Sequence, residues 1–263
     1  MQKRHSDRQQ YFQEQATTTK KYIIPFIEEI LPITKNISVL EIGCSEAGNL
    51  MSFLDMGCKV IGVDLSESKI KSAHELFESH INRPNLNLIC SDIYEVNNLG
   101  QFDLIILRNT LEHIHNQEKF LILVKKFLKP TGIFFLGFPP WQNPFGGHQQ
   151  MCKSRFLSKL PYFHILPTPI YKSILKLFGE KEAKIEGLLE IKETGITIER
   201  FEKIIKKHNY KIDKKTFYFI NPDYETKYNL KPRKQLKLIS SIPFLRNFTI
   251  TTNYYLISIK ENS

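Results

Sequence analysis

At 263 residues, 41% hydrophobic and 24% charged, the chain can bury the core of one α/β domain with an insertion, and this composition excludes intrinsic disorder. No apolar run reaches the roughly 18 to 20 residues a membrane-spanning helix needs, and the opening MQKRHSDRQQYFQEQ has no apolar stretch of a secretory signal, so a cytoplasmic protein is expected. The net charge of +10 is uneven: residues 201–240 hold 11 basic and 4 acidic side chains, a local excess of 11 − 4 = 7, supplied mostly by Lys. Such a surface suits the phosphates of nucleic acid, of an anionic membrane or of a phosphorylated substrate, or is simply solvated. The four cysteines, Cys44, Cys58, Cys90 and Cys152, show neither CxxC spacing nor the density of a disulfide framework, and read as reduced thiols.

Residues 19–31 place apolar side chains at helical spacing and Pro32 closes them. A buried strand follows over 37–42, then the turn GCSEAGN, then a helical pattern over 50–56. A second strand spans 59–63 and a helix runs from 67 to 79 behind Ser66 as cap. Strands at 86–90 and 102–107, a helix over 116–128 and a strand at 133–138 continue the alternation, which predicts βαβ units and a parallel, doubly wound sheet. Residues 139–195, dense in proline and aromatic side chains, break the rhythm and read as an insertion. An amphipathic helix over 196–208 and strands at 216–220 and 251–259 follow, the two strands forming an antiparallel pair at the sheet edge.

The first strand ends in VLEIGCSEAGN, residues 39–49, immediately before a helix. Gly43 and Gly48 let backbone approach a ligand, as in a dinucleotide site. Glu41, two residues before Gly43, argues instead for a cationic group, because a carboxylate repels a pyrophosphate and attracts an ammonium or sulfonium. The loop resembles the first motif of class I S-adenosylmethionine-dependent methyltransferases, [DE]-x-G-x-G-x-G, with Ser45 in place of the middle glycine and one extra residue. The resemblance covers residues 20–140 and resumes at 196. It implies S-adenosylmethionine as cofactor and a Rossmann-like α/β sandwich of seven strands, the last antiparallel, with a helical and aromatic insertion. It also implies roles at the strand ends: Asp64 accepts from both ribose hydroxyls, Leu65 packs on adenine, Asp92 with Ile93 meets the adenine amino group, and the Arg108–Asn109 backbone touches the methionine part. Cys44, in the same loop, is counted with these cofactor-binding residues. FDLIILRNTLEHI and FLKPTGIFFLGFP resemble the next two motifs in order.

Glu112 and His113 follow the fourth strand. Methyl transfer to a hydroxyl needs aligned reactants and a base, and His113 fits by type, as does His148 in the segment PPWQNPFGGHQQ, where Trp141 is also expected to face the acceptor. EH at this place is common in the family and often structural. Related enzymes hold a divalent ion with E-x-x-E-H; here Asn109 replaces the first acid, so no metal is assigned, although Glu112, His113 and His148 remain a conceivable set.

The reading is one methyltransferase domain over 1–263: an N-terminal helical region (1–36), a cofactor core (37–138), an insertion or lid (139–195) and a C-terminal helix and hairpin (196–263). The expected reaction is O-methylation of a sugar hydroxyl in a glycan or glycolipid pathway, on a small-molecule or glycan acceptor. An RNA O-methyltransferase, disfavoured for lack of any RNA-binding module, and a noncatalytic cofactor-binding domain are the alternatives. Thr168 with Pro169 starts a helix whose Ile170, Tyr171, Ile174, Leu175 and Phe178 fall on one face. Beside Lys172 and Lys176, that face suggests peripheral contact with the inner face of a membrane.

Overall fold

The computed structural model describes residues 7–260; residues 1–6 and 261–263, which belong to the N-terminal and C-terminal regions delineated above, lie outside the described residues. Apolar runs form the central strands: β1 (Ser38–Ile42), β2 (Lys59–Asp64), β3 (Leu86–Cys90), β4 (Phe102–Arg108) and β5 (Leu128–Phe138). With β6 (Tyr210–Ile220), β7 (Arg233–Lys234) and β8 (Thr252–Ile259) they make one sheet of order β3-β2-β1-β4-β5-β8-β6-β7. β1 is parallel to both β2 and β4, whereas β8 runs antiparallel to β5 and β6. Strand order therefore reverses at β1 and β4, and the carboxyl ends of those strands open onto the crevice where doubly wound sheets bind ligands.

Ten helices surround the sheet among the described residues: α1 (Arg8–Thr18), α2 (Ile24–Glu28), α3 (Gly48–Asp55), α4 (Glu67–Leu76), α5 (Gln117–Val124), α6 (Thr168–Leu177), α7 (Glu182–Thr194), α8 (Ile198–Lys207), α9 (Asp223–Tyr228) and α10 (Lys237–Ser240). Both sheet faces are covered, so successive strand residues alternate between two cores rather than between core and water. Val39, Phe135 and Tyr254 pack with Phe12, Phe26 and Phe53 from α1, α2 and α3. Their neighbours Leu40, Phe134 and Tyr255 pack with Phe120 of α5 and Phe201 of α8.

The sheet has eight strands rather than seven because Arg233–Lys234 adds a two-residue edge against Tyr218 and Ile220. β6 begins six residues before its expected start at 216, since Lys211, Lys214 and Lys215 hide its alternation on a partly exposed edge. The N-terminal helix likewise starts at Arg8, where Asp7 Oδ1 accepts the Gln10 N–H at 2.9 Å, and joins α2 through a π-helical turn, Thr19–Ile23.

The insertion makes a third core of Leu157, Phe163, Tyr171, Leu175, Ile185 and Leu188. It takes up part of the stripe expected on α6, while Ile170 and Phe178 stay 50% and 42% exposed. Tyr171 and Leu175 face the insertion's own core, and Lys172 and Lys176 both reach Glu182 at 3.2 Å. Thr168 is the first helical residue, with Pro167 in the cap position. Among the described residues no helix is long and apolar enough to cross a membrane.

Candidate active site

The loop after β1 folds against the end of β2. Gly43 and Cys44 donate their backbone N–H groups to the Val63 carbonyl at 2.8 and 3.1 Å. Gly43 has φ +72°, and a Cβ there would stand 2.7 Å from the Thr110 side chain, so glycine is required to bring β1 and the end of β4 together. Ser45 (φ 56°) and Ala47 (φ 61°) also sit in the left-handed region despite carrying Cβ atoms. The Asp64 carboxylate holds this geometry: Oδ2 accepts the Ser45 N–H at 2.8 Å and Oδ1 the Ser66 N–H at 2.9 Å. Each oxygen keeps a further lone pair for a second donor.

Two cavities meet at Gly43, Asp64 and Thr110. The smaller, about 260 Å³, is walled by Val63, Leu65, Ile93, Ile114 and Phe120, with Asp64 and Asp92 at its polar edge. An apolar slot flanked by two carboxylates suits a flat base on a dihydroxylated sugar. The larger, about 440 Å³, is polar; Asn109, His113, Asn143, His148 and Asn221 contribute to it.

A buried polar network lies under the larger chamber. Glu41 is buried, its Oε1 accepts from Asn49 Nδ2 at 2.5 Å, and its Oε2 has no hydrogen-bond partner among the described residues. Burial outweighs the opposing pull of Asn49 and Arg108 and pushes its carboxyl up to about 8. Arg108 donates to Asn49 Oδ1 at 2.6 Å and is ion-paired with Asp223 from α9. An orphaned carboxylate oxygen beneath a glycine turn, beside a slot with two further carboxylates, is a donor-hungry set, and the ammonium, ribose hydroxyls and adenine amino group of S-adenosylmethionine are the donors that fit it.

Across the chamber Glu112, His113 and His148 converge: their ligating atoms all lie within 4.8 Å of one another, and the two imidazole rings are 5.1 Å apart. Glu112 and His113 stand on the short turn after β4, where the His113 N–H bonds to the Thr110 carbonyl at 3.0 Å and Thr194 Oγ1 donates to the Glu112 carbonyl at 2.6 Å. His148 is presented by the loop after β5, itself in the left-handed region with φ 53°. Burial pushes the Glu112 carboxyl up to about 8 and the His113 imidazole down from 6.5. His113 is therefore neutral at neutral pH and able to accept a proton.

The structure brings Gly43, Asp64, Leu65, Asp92, Ile93, Arg108, Asn109, His113 and His148 to the two cavities; Glu41 lines neither, and is buried and joined to Arg108 through Asn49. Cys44 and Gly48 are not brought there. The Cys44 side chain is fully buried in the core, where Gly62 leaves room for its sulfur. Gly48 is covered by α1: a Cβ would lie 2.4 Å from the Phe12 carbonyl oxygen, and its N–H is taken by Gln15 Oε1 at 3.2 Å. That glycine admits a helix, not a ligand. Trp141 faces away from the acceptor chamber, packed edge-on against His164 with ring centroids 5.2 Å apart. Missing from the sequence reading are Tyr11 and Gln15 of α1 and Asp223, Tyr224 and Lys227 of α9, all of which line the larger chamber. Asp7 followed three residues later by Gln10 is a helix-start signal that points to the first pair; nothing local points to α9.

A family model described as a methyltransferase domain matches residues 33–179, more than half of the chain. A ubiquinone biosynthesis O-methyltransferase of Rickettsia bellii is 31% identical over 113 residues, 43% of this chain and 46% of that protein. A carboxy-S-adenosyl-L-methionine synthase of Shewanella loihica is 27% identical over 110 residues, 40% of this chain and 45% of that protein. The chain thus spans about half the length of the curated relatives it matches. Among solved structures, magnesium protoporphyrin IX methyltransferase from Synechocystis PCC 6803, with bound SAH, aligns at TM-score 0.56 and 12% identity over 94% of this chain and 84% of its own. The plantazolicin methyltransferase BpumL in complex with SAH aligns at 0.53 and 13% over 98% and 87%, so the likeness extends through the insertion as fold alone. From the glycine turn at β1, the carboxylates at the ends of β1, β2 and β3, and the matched domain, it follows that the chain belongs to the class I S-adenosylmethionine-dependent methyltransferases.

Proposed function

We propose that this protein moves a methyl group from S-adenosylmethionine to a hydroxyl oxygen, within one domain whose residues 139–195 cover the acceptor. The observation that carries this reading is the placement of His113 and His148, rings 5.1 Å apart, on the wall of a polar chamber that opens from the carboxylate-edged slot. When bound, S-adenosylmethionine supplies an electrophilic methyl on a sulfonium. Glu41 and Asp64 orient it through its ammonium and ribose, and Asp92 with Leu65 and Ile93 holds the base. On the acceptor side His113, neutral because buried, takes the hydroxyl proton, and His148 hydrogen-bonds and orients the acceptor. Base catalysis of this kind contributes about 10² to 10⁴ in rate, and alignment contributes the rest.

The R. bellii relative is named for oxygen methylation, which favours a hydroxyl over an amine or carbon acceptor. Asn109, Asn143 and Asn221 with the two histidines give the chamber many hydrogen-bonding groups beside the rings of Tyr11, Phe145 and Tyr224. Such a lining matches a sugar, whose hydroxyls need several partners, better than a flat aromatic ring, and a glycan or glycolipid handled in the cytoplasm is the acceptor we favour. Incubation with methyl-labelled cofactor, followed by mass spectrometry of glycan and RNA fractions, tests the choice. Label on sugar oxygens of glycan supports it, and label on RNA alone overturns it.

One observation favours a second reading of the same site. The donor atoms of Glu112, His113 and His148 converge closely enough to hold a divalent ion, and Glu112 Oε2 is buried without a partner among the described residues. In that case the three side chains hold a metal that polarises the acceptor hydroxyl, and neither histidine acts as the base.

A further inference from the structure

We propose that residues 228–248 form a docking surface for an anionic lipid bilayer beside the mouth of the acceptor chamber. The stretch contains no Asp or Glu and exposes four cations, Lys231, Arg233, Lys234 and Lys237. Interleaved with them are large apolar side chains left outside the fold: Leu236, Leu238 and Phe244 are 68%, 77% and 67% exposed. Apolar groups clustered at this exposure mark an interaction surface. Cations spaced among them match a bilayer interface, where anionic headgroups overlie acyl chains. A second copy of this chain would bring the same cations against each other on a protein of net charge +10, so charge favours the lipid over self-association.

Phe244 stands on a rigid mount. Its φ of 65° and ψ of −50°, with the Leu245 N–H on the Pro243 carbonyl at 2.8 Å, form the rare, strained kind of γ-turn. Glu199, at the start of α8, holds it by accepting from the Phe244 N–H at 3.0 Å, Arg246 Nε at 2.8 Å and Asn247 Nδ2 at 2.6 Å. The base is thus fixed while the ring is given to solvent.

The chain on both sides of this stretch lines the site. The chain enters it from α9, whose Asp223, Tyr224 and Lys227 line the acceptor chamber, and leaves it toward Thr251, which lines the chamber too. Tyr162 of the insertion donates its hydroxyl to the Phe248 carbonyl at 2.9 Å, tying the insertion to the same face. Docking therefore sets the chamber mouth at the headgroup layer. Its consequence for chemistry rests on the methyl-transfer reading: the acceptor is then an amphiphile whose hydroxylated head stands at that layer. The docking itself does not depend on that reading.

Sedimentation of the full chain with vesicles of phosphatidylcholine, with and without phosphatidylglycerol, tests the surface. We expect binding only to the phosphatidylglycerol vesicles, weakening as salt is added. The double variant Lys234→Gln/Lys237→Gln should weaken it about fivefold per charge removed. Leu238→Ser/Phe244→Ser should weaken it on the order of tenfold. Both variants should keep wild-type affinity for S-adenosylmethionine in calorimetry. No sedimentation of the wild type, or equal sedimentation of wild type and both variants, overturns the proposal. So does a wild-type dimer in chromatography that the Leu238→Ser/Phe244→Ser variant dissociates, which assigns the surface to a second copy. Vesicle binding without cofactor binding would leave the surface standing and remove the methyl-transfer reading instead.

Discussion

Asn49 donates to Glu41 Oε1 at 2.5 Å while its own carbonyl oxygen accepts from Arg108 at 2.6 Å and from Thr19 at 2.8 Å. One amide thus joins the carboxylate of β1 to the guanidinium of β4 and to the N-terminal helical region. It also fixes Glu41 with one oxygen held and the other without a partner among the described residues.

The first prediction follows from that half-satisfied carboxyl. Glu41 is pushed from 4.5 up to about 8 by burial, so the folded chain keeps its proton where the unfolded chain releases it. A raised carboxyl favours folding most below the unfolded value, and that contribution is lost as pH rises from about 4.5 through 8. Stability without ligand should therefore fall across this window by a few kcal/mol, with Glu112, also raised to about 8, adding to the slope. Cofactor affinity should run the opposite way, because an ammonium needs the ionised form: up to about tenfold tighter per pH unit until pH 8. Glu41→Gln should bind weakly with a flat pH profile. Parallel profiles for wild type and variant in calorimetry would remove Glu41 from the cofactor site.

Asp64 offers a separate test. Its two oxygens already anchor the backbone of Ser45 and Ser66, so Asp64→Ala removes both the proposed ribose acceptor and the loop's support. The expected cost to S-adenosylmethionine binding is roughly 1 to 3 kcal/mol, about 5- to 150-fold in Kd. NAD should not displace the cofactor. Unchanged affinity in the variant would contradict the assignment.

Gly48→Ala tests the role the structure gives that glycine. The new methyl would meet the Phe12 carbonyl at 2.4 Å, and backbone cannot yield as a side-chain tip does. We expect a loss of about 1 to 3 kcal/mol in stability, as in other overpacked sites, with early proteolysis within α1. Because Tyr11 and Gln15 of that helix line the larger chamber beside Gly43 and Asp64, cofactor affinity should weaken as well. A variant as stable as wild type with α1 still protected would show that the helix does not press on this loop.

The part of the fold that is legible in the sequence is the part buried on both sides. Val39 to Ile42, Leu104 to Leu107 and Ile133 to Phe138 are near-continuous apolar runs because each strand feeds two cores, and their order reveals the carboxyl ends where Asp64 and Asp92 stand. What escapes is built from side chains with polar neighbours. The segment RQQYFQEQATT of α1 buries Phe12 and Gln15 against the loop at Gly48 without an apolar stripe, so its periodicity is faint. Asp223 reaches Arg108 across 115 positions, a pairing no local pattern carries. Cys44 misled for the opposite reason: it sits in the motif, but the turn at Gly43 points it down into the core.

The last prediction separates the two uses of the histidine pair. If His113 is the base, His113→Ala should lower kcat by about 10² or more while cofactor affinity stays at the wild-type value. Since burial holds its imidazole below 6.5, the wild-type rate should be level at neutral pH and fall only on the acid side of that value, as the base takes up its proton. His148→Ala should raise KM more than it lowers kcat, because its proposed work is to orient the acceptor. Added imidazole should restore part of the His113→Ala rate without changing KM. If the convergent trio instead holds a metal, the pattern changes in kind. Glu112→Gln, His113→Ala and His148→Ala should then be equally impaired, a chelator should abolish wild-type turnover, Mg²⁺ or Mn²⁺ should restore it, and imidazole should rescue nothing. Full activity in both histidine variants, with no effect of chelator, would leave alignment of acceptor and cofactor as the whole of catalysis.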